Sequence, residues 1–247
     1  MDLDLQCASK PDVQAQLRET ARSLGYETVA WAREVNGRLG KQHACQPPPA
    51  AASAGAPVAQ KLALHGGPPA VRQLTRITLV VERTEQLQDI NEANPVLAGY
   101  DLVAVVPHSE DVLARCCQPP VSNAIDLISL PMEHRLAYAL NPAMLRKAAR
   151  AGVHFEIRYS HALRDSNTRR HLIANALGLV RAAPAYSLVI TSGAESDAKL
   201  RALADVAHLA TLFDMSVHQA RRCLTAHARA TIERAEARRA RRGQGPA

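Results

Sequence analysis

The sequence predicts an α/β barrel, because short runs rich in Val, Ile and Leu alternate along it with helical patterns. Two properties of composition support this. Hydrophobic residues make up 47% of the 247 positions, ample for one barrel core, and aromatics only 3%, so the core must be built from Leu, Val, Ile and Ala, as in parallel barrels. Candidate strands span 1–6, 26–31, 75–82, 101–106, 125–130, 153–159 and 187–192. An eighth strand is expected to be short or cryptic, and a doubly wound open sheet is the alternative topology.

The elements follow in order. Ser9 with Asp12 three residues on reads as a capping box, Val13, Leu17, Ala21 and Leu24 share a helix face, and Gly25 stops it. The stretch from about 43 to 70 carries Pro47-Pro48-Pro49, an Ala run and Gly66-Gly67-Pro68-Pro69, and is expected to be a flexible insertion. A helix opens at Asn141-Pro142 and closes at Gly152, with Met144, Leu145, Ala148 and Ala151 inward. Asp165 caps another, with the apolar stripe Leu172, Ile173, Ala176, Leu177 and Val180, and Leu200, Leu203, Val206, Ala207 and Ala210 mark a further one. Beyond Val217, Ala220, Leu224 and Ile232 the chain becomes Ala/Arg-rich. The expected organisation is a barrel over 1–230 and a basic tail over 231–247, frayed or ordered by a partner.

The formal charge of +7 is concentrated at this end, where the last 30 residues hold eight arginines against two glutamates. Affinity for nucleic acid from bulk charge therefore belongs mainly there. A bare aromatic platform for single strands is not expected at this aromatic content. Five cysteines without CxxC spacing argue against a disulfide framework or a zinc site, and fit a reducing compartment. No apolar stretch approaches the roughly 20 residues that span a bilayer, and Asp2 and Asp4 interrupt a leader pattern. A soluble intracellular protein with no membrane partner is expected.

Barrel enzymes place their chemistry at the C-terminal ends of the strands, and here those ends offer a poor set. Where a metal-dependent phosphoesterase would need a pair such as His-x-His, the first strand has Asp2 and Asp4. His108, His134, His161 and Glu195 follow other strands and define the alternative, a metal-dependent phosphoesterase with a rebuilt site. Glu133 is a further candidate ligand. No phosphate-binding Gly-rich loop or nucleophile elbow occurs, and Cys116-Cys117 reads as a buried helix end.

The segment Phe155 to His171 runs from strand through polar loop to helix N-terminus, and its Arg164, Arg169 and Arg170 are suited to phosphate. The equal alternative is that Asp165 caps the helix while the arginines pair with carboxylates. Arg72 and Arg76 precede a strand, where solvated strand-end residues are the competing reading.

In order along the chain, Asp2-Leu3-Asp4-Leu5, Leu24-Gly25-Tyr26, Leu74-Thr75-Arg76-Ile77-Thr78, Tyr100-Asp101-Leu102-Val103-Ala104-Val105, Phe155-Glu156-Ile157-Arg158-Tyr159-Ser160, Asp165-Ser166 with Arg169-Arg170, Ile190-Thr191-Ser192-Gly193-Ala194-Glu195 and Asp205-Val206-Ala207 with Leu212-Phe213 resemble the thirty-kilodalton protein subunit family of ribonuclease P and ribonuclease MRP. The resemblance implies a TIM-barrel-like fold related to polymerase and histidinol phosphatase barrels, without their metal site. It implies a non-catalytic subunit that supports a catalytic RNA in removing 5′ leaders from precursor tRNA. The expected partners are the ribonuclease P RNA, precursor tRNA through the complex, and other ribonuclease P/MRP protein subunits. No cofactor is expected in the chain itself, with magnesium on the catalytic RNA, and the location implied is the nucleus, including the nucleolus. The candidate RNA-contacting residues are Arg76, Arg158, Arg164, Arg169, Arg170, Arg221 and Arg222. The insertion and the Arg-rich end have no counterpart in the resemblance.

Overall fold

In the computed structural model, residues 1–6, 11–46 and 70–243 are described. The strands are β1 (Asp2–Gln6), β2 (Thr28–Asn36), β3 (Arg72–Val81), β4 (Leu102–Pro107), β5 (Leu127–Ser129), β6 (His154–Arg158) and β7 (Leu188–Thr191). All pair in parallel, in sheet order β1 to β7. Sequential neighbours throughout leave no reversal of strand order, so the open doubly wound alternative does not hold. A parallel bridge between Leu5 and Ala194 joins the first strand to the chain just beyond the last, where Gln6 N–H donates to the Ala194 carbonyl at 2.9 Å. The barrel thus closes on seven strands, and no eighth exists among the described residues.

The helices are α1 (Pro11–Ser23), α2 (Pro95–Ala98), α3 (Glu110–Cys116), α4 (Val121–Ala124), α5 (Pro142–Arg150), α6 (Ser166–Ala182), α7 (Leu203–Leu209), α8 (Val217–Leu224) and α9 (Ala226–Gly243). Local chemistry sets their ends. Asn141 accepts from Ala143 N–H with Pro142 opening α5, and Asp165 accepts from Asn167 and Thr168 N–H at the start of α6. Gly25 ends α1 at φ +81°, a conformation that L side chains avoid. The Ser9 capping reading lies outside the described residues. Leu17 and Ala21 of α1 pack on Leu5, Val29 and Trp31, and helices α2 to α8 cover the sheet through one continuous apolar layer around Ile77, Val105, Phe155 and Ile190. Cys116 and Cys117 end α3 fully buried, and burial raises both thiols above their ordinary value.

Three expectations change. Strand β2 runs to Asn36, beyond Trp31, because it pairs with β3 from Thr28 to Asn36 and so carries Glu34 to the C-terminal mouth. Of the expected insertion, residues 47–69 lie outside the described ones, while His43 is docked through its carbonyl to the Tyr100 hydroxyl at 3.0 Å. Third, the segment expected as a basic tail continues α9 as far as Gly243 and seals the N-terminal end of the barrel. Ala228, Ile232 and Ala235 meet Leu3, Ala30, Leu74, Leu102, Leu127 and Val189 there. The positions 228, 232, 235 and 238 share one helix face.

Candidate functional site

Strand alternation turns Asp4, Arg76, Glu156 and Arg158 toward the barrel axis, where a barrel enzyme would hold its reacting groups. Arg76 is fully buried. It donates two parallel bonds to Glu156, Nη1 to Oε1 at 2.5 Å and Nη2 to Oε2 at 2.7 Å, and further bonds to the Leu3 carbonyl at 2.8 Å and Thr78 Oγ1 at 2.9 Å. Thr191 Oγ1 donates to Glu156 Oε1 at 2.9 Å. Arg158 Nε lies 2.6 Å from Asp4 Oδ2, with Glu34 3.8 Å from Nη1 at the rim. Two guanidinium cations face two buried carboxylates in this set, with the buried Asp2 carboxyl close by on the Asp4 and Ser192 amides. Burial alone would raise Glu156, but the guanidinium of Arg76, with Arg158 and the hydrogen bonds, outweighs it and holds the carboxyl at about 2. Burial pushes Asp4 up to about 6 against the pull of Arg158 and Arg76.

This placement corrects two of the seven candidate RNA contacts. Arg76 is sealed in the barrel, and the side chain of Arg158 is 10% exposed and held on Asp4, so neither is presented to an RNA backbone. The sequence gives a basic residue at a strand end either orientation, and the buried carboxylates decide it.

At the mouth, Arg164 donates to Glu133 at 3.0 Å and to Glu195 at 3.1 Å, Lys199 donates to Glu195 at 2.7 Å, and His161 Nε2 lies 3.2 Å from Glu133. Burial lowers His161 to about 4 despite Glu133, so the imidazole is neutral near pH 7. The rebuilt metal site is not assembled. A guanidinium stands between Glu133 and Glu195, His108 is exposed on another loop, His134 beside Glu133 is exposed to solvent, and no group of three or more potential ligands occurs among the described residues.

The α6 start combines both readings of its segment. Asp165 caps the helix, its Oδ2 also accepting from Thr168 Oγ1 at 2.6 Å, and the hydroxyl and amides of the cap hold its carboxyl below the usual range. Arg164 pairs with carboxylates. Arg169 spends only Nε, on the Ala162 carbonyl at 2.8 Å, and Arg170 is exposed without a hydrogen bond or ion pair among the described residues.

The C-terminal arginines divide sharply. Arg238 is fully buried on Asp126, Arg234 donates to the carbonyls of Ala151, Ser122 and Ile125, and Arg239 pairs with Asp101. These arginines close carbonyls and carboxylates at the barrel floor. Arg221 and Arg222 on α8 and Arg229 on α9 are exposed and have no carboxylate partner among the described residues. Arg221 and Arg222, expected at an RNA contact, are exposed, whereas the structural role of Arg234, Arg238 and Arg239 was not expected, although a lone Asp126 opening an apolar strand is a signal that some cation must reach it. No helix among the described residues is long and apolar enough to cross a membrane.

Comparison with known proteins bears on this arrangement. The model of the family described as RNase P subunit p30 matches residues 1–240. The chain is 28% identical over 239 residues to ribonuclease P protein subunit p30 of Mus musculus, covering 96% of this chain and 86% of that protein. It is 34% identical over 227 residues to Protein GAMETOPHYTE DEFECTIVE 1 of Arabidopsis thaliana, covering 88% of this chain and spanning 39% of that longer relative. A chain in the cryo-EM structure of archaeal ribonuclease P with mature tRNA superposes with a TM-score of 0.58 at 14% identity, over 98% of this chain and 91% of its own, a likeness of fold.

Proposed function

Since the chain belongs to the RNase P subunit p30 family, we propose that it is a non-catalytic protein subunit of ribonuclease P, supporting the catalytic RNA in removing 5′ leaders from precursor tRNA. The single observation that carries this reading is the family match over residues 1–240. The geometry supports it, because the axial positions that would serve catalysis are committed to the Arg76–Glu156 and Arg158–Asp4 pairs. Such a barrel stabilises itself at its catalytic end and contributes surface. The hydrolysis then falls to the RNA and its magnesium ions.

In this reading the RNA or RNA-bound partners meet exposed cations. Arg169 and Arg170 at the α6 start, with Arg164 beside them, form one contact, and Arg221 and Arg222 on α8 form another. Precursor tRNA is met through the assembled particle, and other protein subunits dock on the helices. Service in ribonuclease MRP and a nuclear, including nucleolar, location belong to the same proposal. Depletion of the chain from cells tests it: tRNA precursors with uncut 5′ leaders should accumulate, and unchanged leader removal would refute the role.

A further inference from the structure

Resting on the RNA-subunit reading, we propose that a pocket between the turn before β7 and helices α8 and α9 receives one unstacked base of single-stranded RNA. Its lining is Ala185, Tyr186, Gln219, Arg222 and His227, and its volume of about 210 Å³ far exceeds the roughly 10–15 Å³ that one water needs. Tyr186 is 54% exposed, one of two large hydrophobic side chains so exposed among the described residues, and its hydroxyl has no partner there. An aromatic face left in solvent at a pocket wall is the surface on which a base stacks.

The polar groups of the pocket suit the rest of a nucleotide. Gln219 uses Oε1 to accept from Ser216 N–H and Oγ, which leaves its amide nitrogen as a donor. His227 is 7% exposed, and its Nδ1 lies 2.8 Å from the Leu188 carbonyl. A carbonyl only accepts, so Nδ1 carries the proton. Burial lowers the histidine below its ordinary pKa, so Nε2 is a bare acceptor, and it has no partner among the described residues. Nε2 itself is closed off from solvent, so His227 forms a wall of the pocket, and an entering base meets the Tyr186 face and the Gln219 amide. Arg222 stands beside His227 with no carboxylate partner, flanked by Arg221 and Arg229, and α8 contains no acidic residue. The charge around the pocket complements a phosphate backbone rather than a mixed-charge protein surface.

Equilibrium binding of the full chain to fluorescent octa-adenylate, octa-uridylate and an abasic ribose-phosphate octamer tests the pocket. The base-bearing strands should bind about tenfold more tightly than the abasic one. Tyr186→Ala should erase that difference and leave the abasic affinity unchanged, while Tyr186→Phe should retain it. Arg222→Ala should weaken all three strands and lower the salt slope by about 0.7. Equal binding of abasic and base-bearing strands, absence of binding to all three, or a silent Tyr186→Ala would overturn the proposal. So would a photoreactive phenylalanine analogue in place of Tyr186 that captures a protein, and not RNA, in the purified particle. Recovery of ribonuclease P RNA with the tagged wild-type chain reads the subunit role separately, so that role can stand while the pocket fails.

Discussion

Arg238 and Asp126, 112 residues apart in the chain, meet fully buried in a two-pronged pair, Nη2 to Oδ2 at 2.8 Å and Nε to Oδ1 at 3.0 Å. Asp126 Oδ2 also accepts from Val103 N–H at 2.9 Å, so the carboxylate ties α9 to the start of β4. A residue in the most basic segment of the chain thereby serves the fold.

Removing one partner of a buried pair leaves the other charge without compensation, at a cost of about 3–5 kcal/mol. Arg238→Ala should therefore lower the urea midpoint strongly. Arg241→Ala, at a half-exposed pair with Glu92, should cost less than about 0.5 kcal/mol. Equal effects from the two substitutions would show that α9 is not seated as described.

The barrel interior predicts an opposed pH dependence. Glu156 lies below its ordinary value of 4.5, so its contribution is present above that pH and is lost as pH falls toward about 2. Asp4 is raised from 3.8 to about 6, so it favours the folded state at low pH and that contribution fades as pH rises between those values. In thermal melts across pH, Glu156→Gln should destabilise the protein near neutrality and flatten its acid arm. Asp4→Asn should remove the decline between about 4 and 6, and an unaltered profile in both variants would contradict the network.

At the α6 start, cap and cation have separable effects. Asp165→Ala should lower the melting temperature, because it frees the Asn167 and Thr168 amides that the cap satisfies. Arg169→Ala with Arg170→Ala should leave the melt nearly unchanged while weakening RNA assembly. Loss of stability in the arginine pair, with unchanged RNA assembly, would assign both residues to the fold.

On α8, Arg221→Ala with Arg222→Ala should reduce RNA binding similarly for all sequences, with a shallower salt dependence and the melting temperature preserved. Arg76→Ala makes the contrast, since it should unfold the protein in milder denaturant. If the α8 variants leave the salt slope unaltered, phosphate is held elsewhere.

Much of the barrel was legible in the sequence because its strands are apolar runs bounded by turn residues, and Asn141, Asp165 and Gly25 mark helix ends by local chemistry. The seven-strand closure was not legible. It depends on the chain beyond Thr191 reaching Leu5, a contact between remote segments. The site was readable only at its exposed cations. Local sequence does not tell Arg170, free on a helix surface, from Arg76 or Arg238, whose burial is set by Glu156 and Asp126 far along the chain. Tyr186 and His227 carried no motif, because the pocket they form exists only once α9 lies across the barrel floor.

Membership of a ribonuclease P particle can be read by purifying the tagged full chain from cells and sequencing the RNA that accompanies it. Strong enrichment of the ribonuclease P RNA over total RNA is expected, in a fraction that cleaves 5′ leaders from precursor tRNA. A chain recovered intact with neither that RNA nor that activity would contradict it.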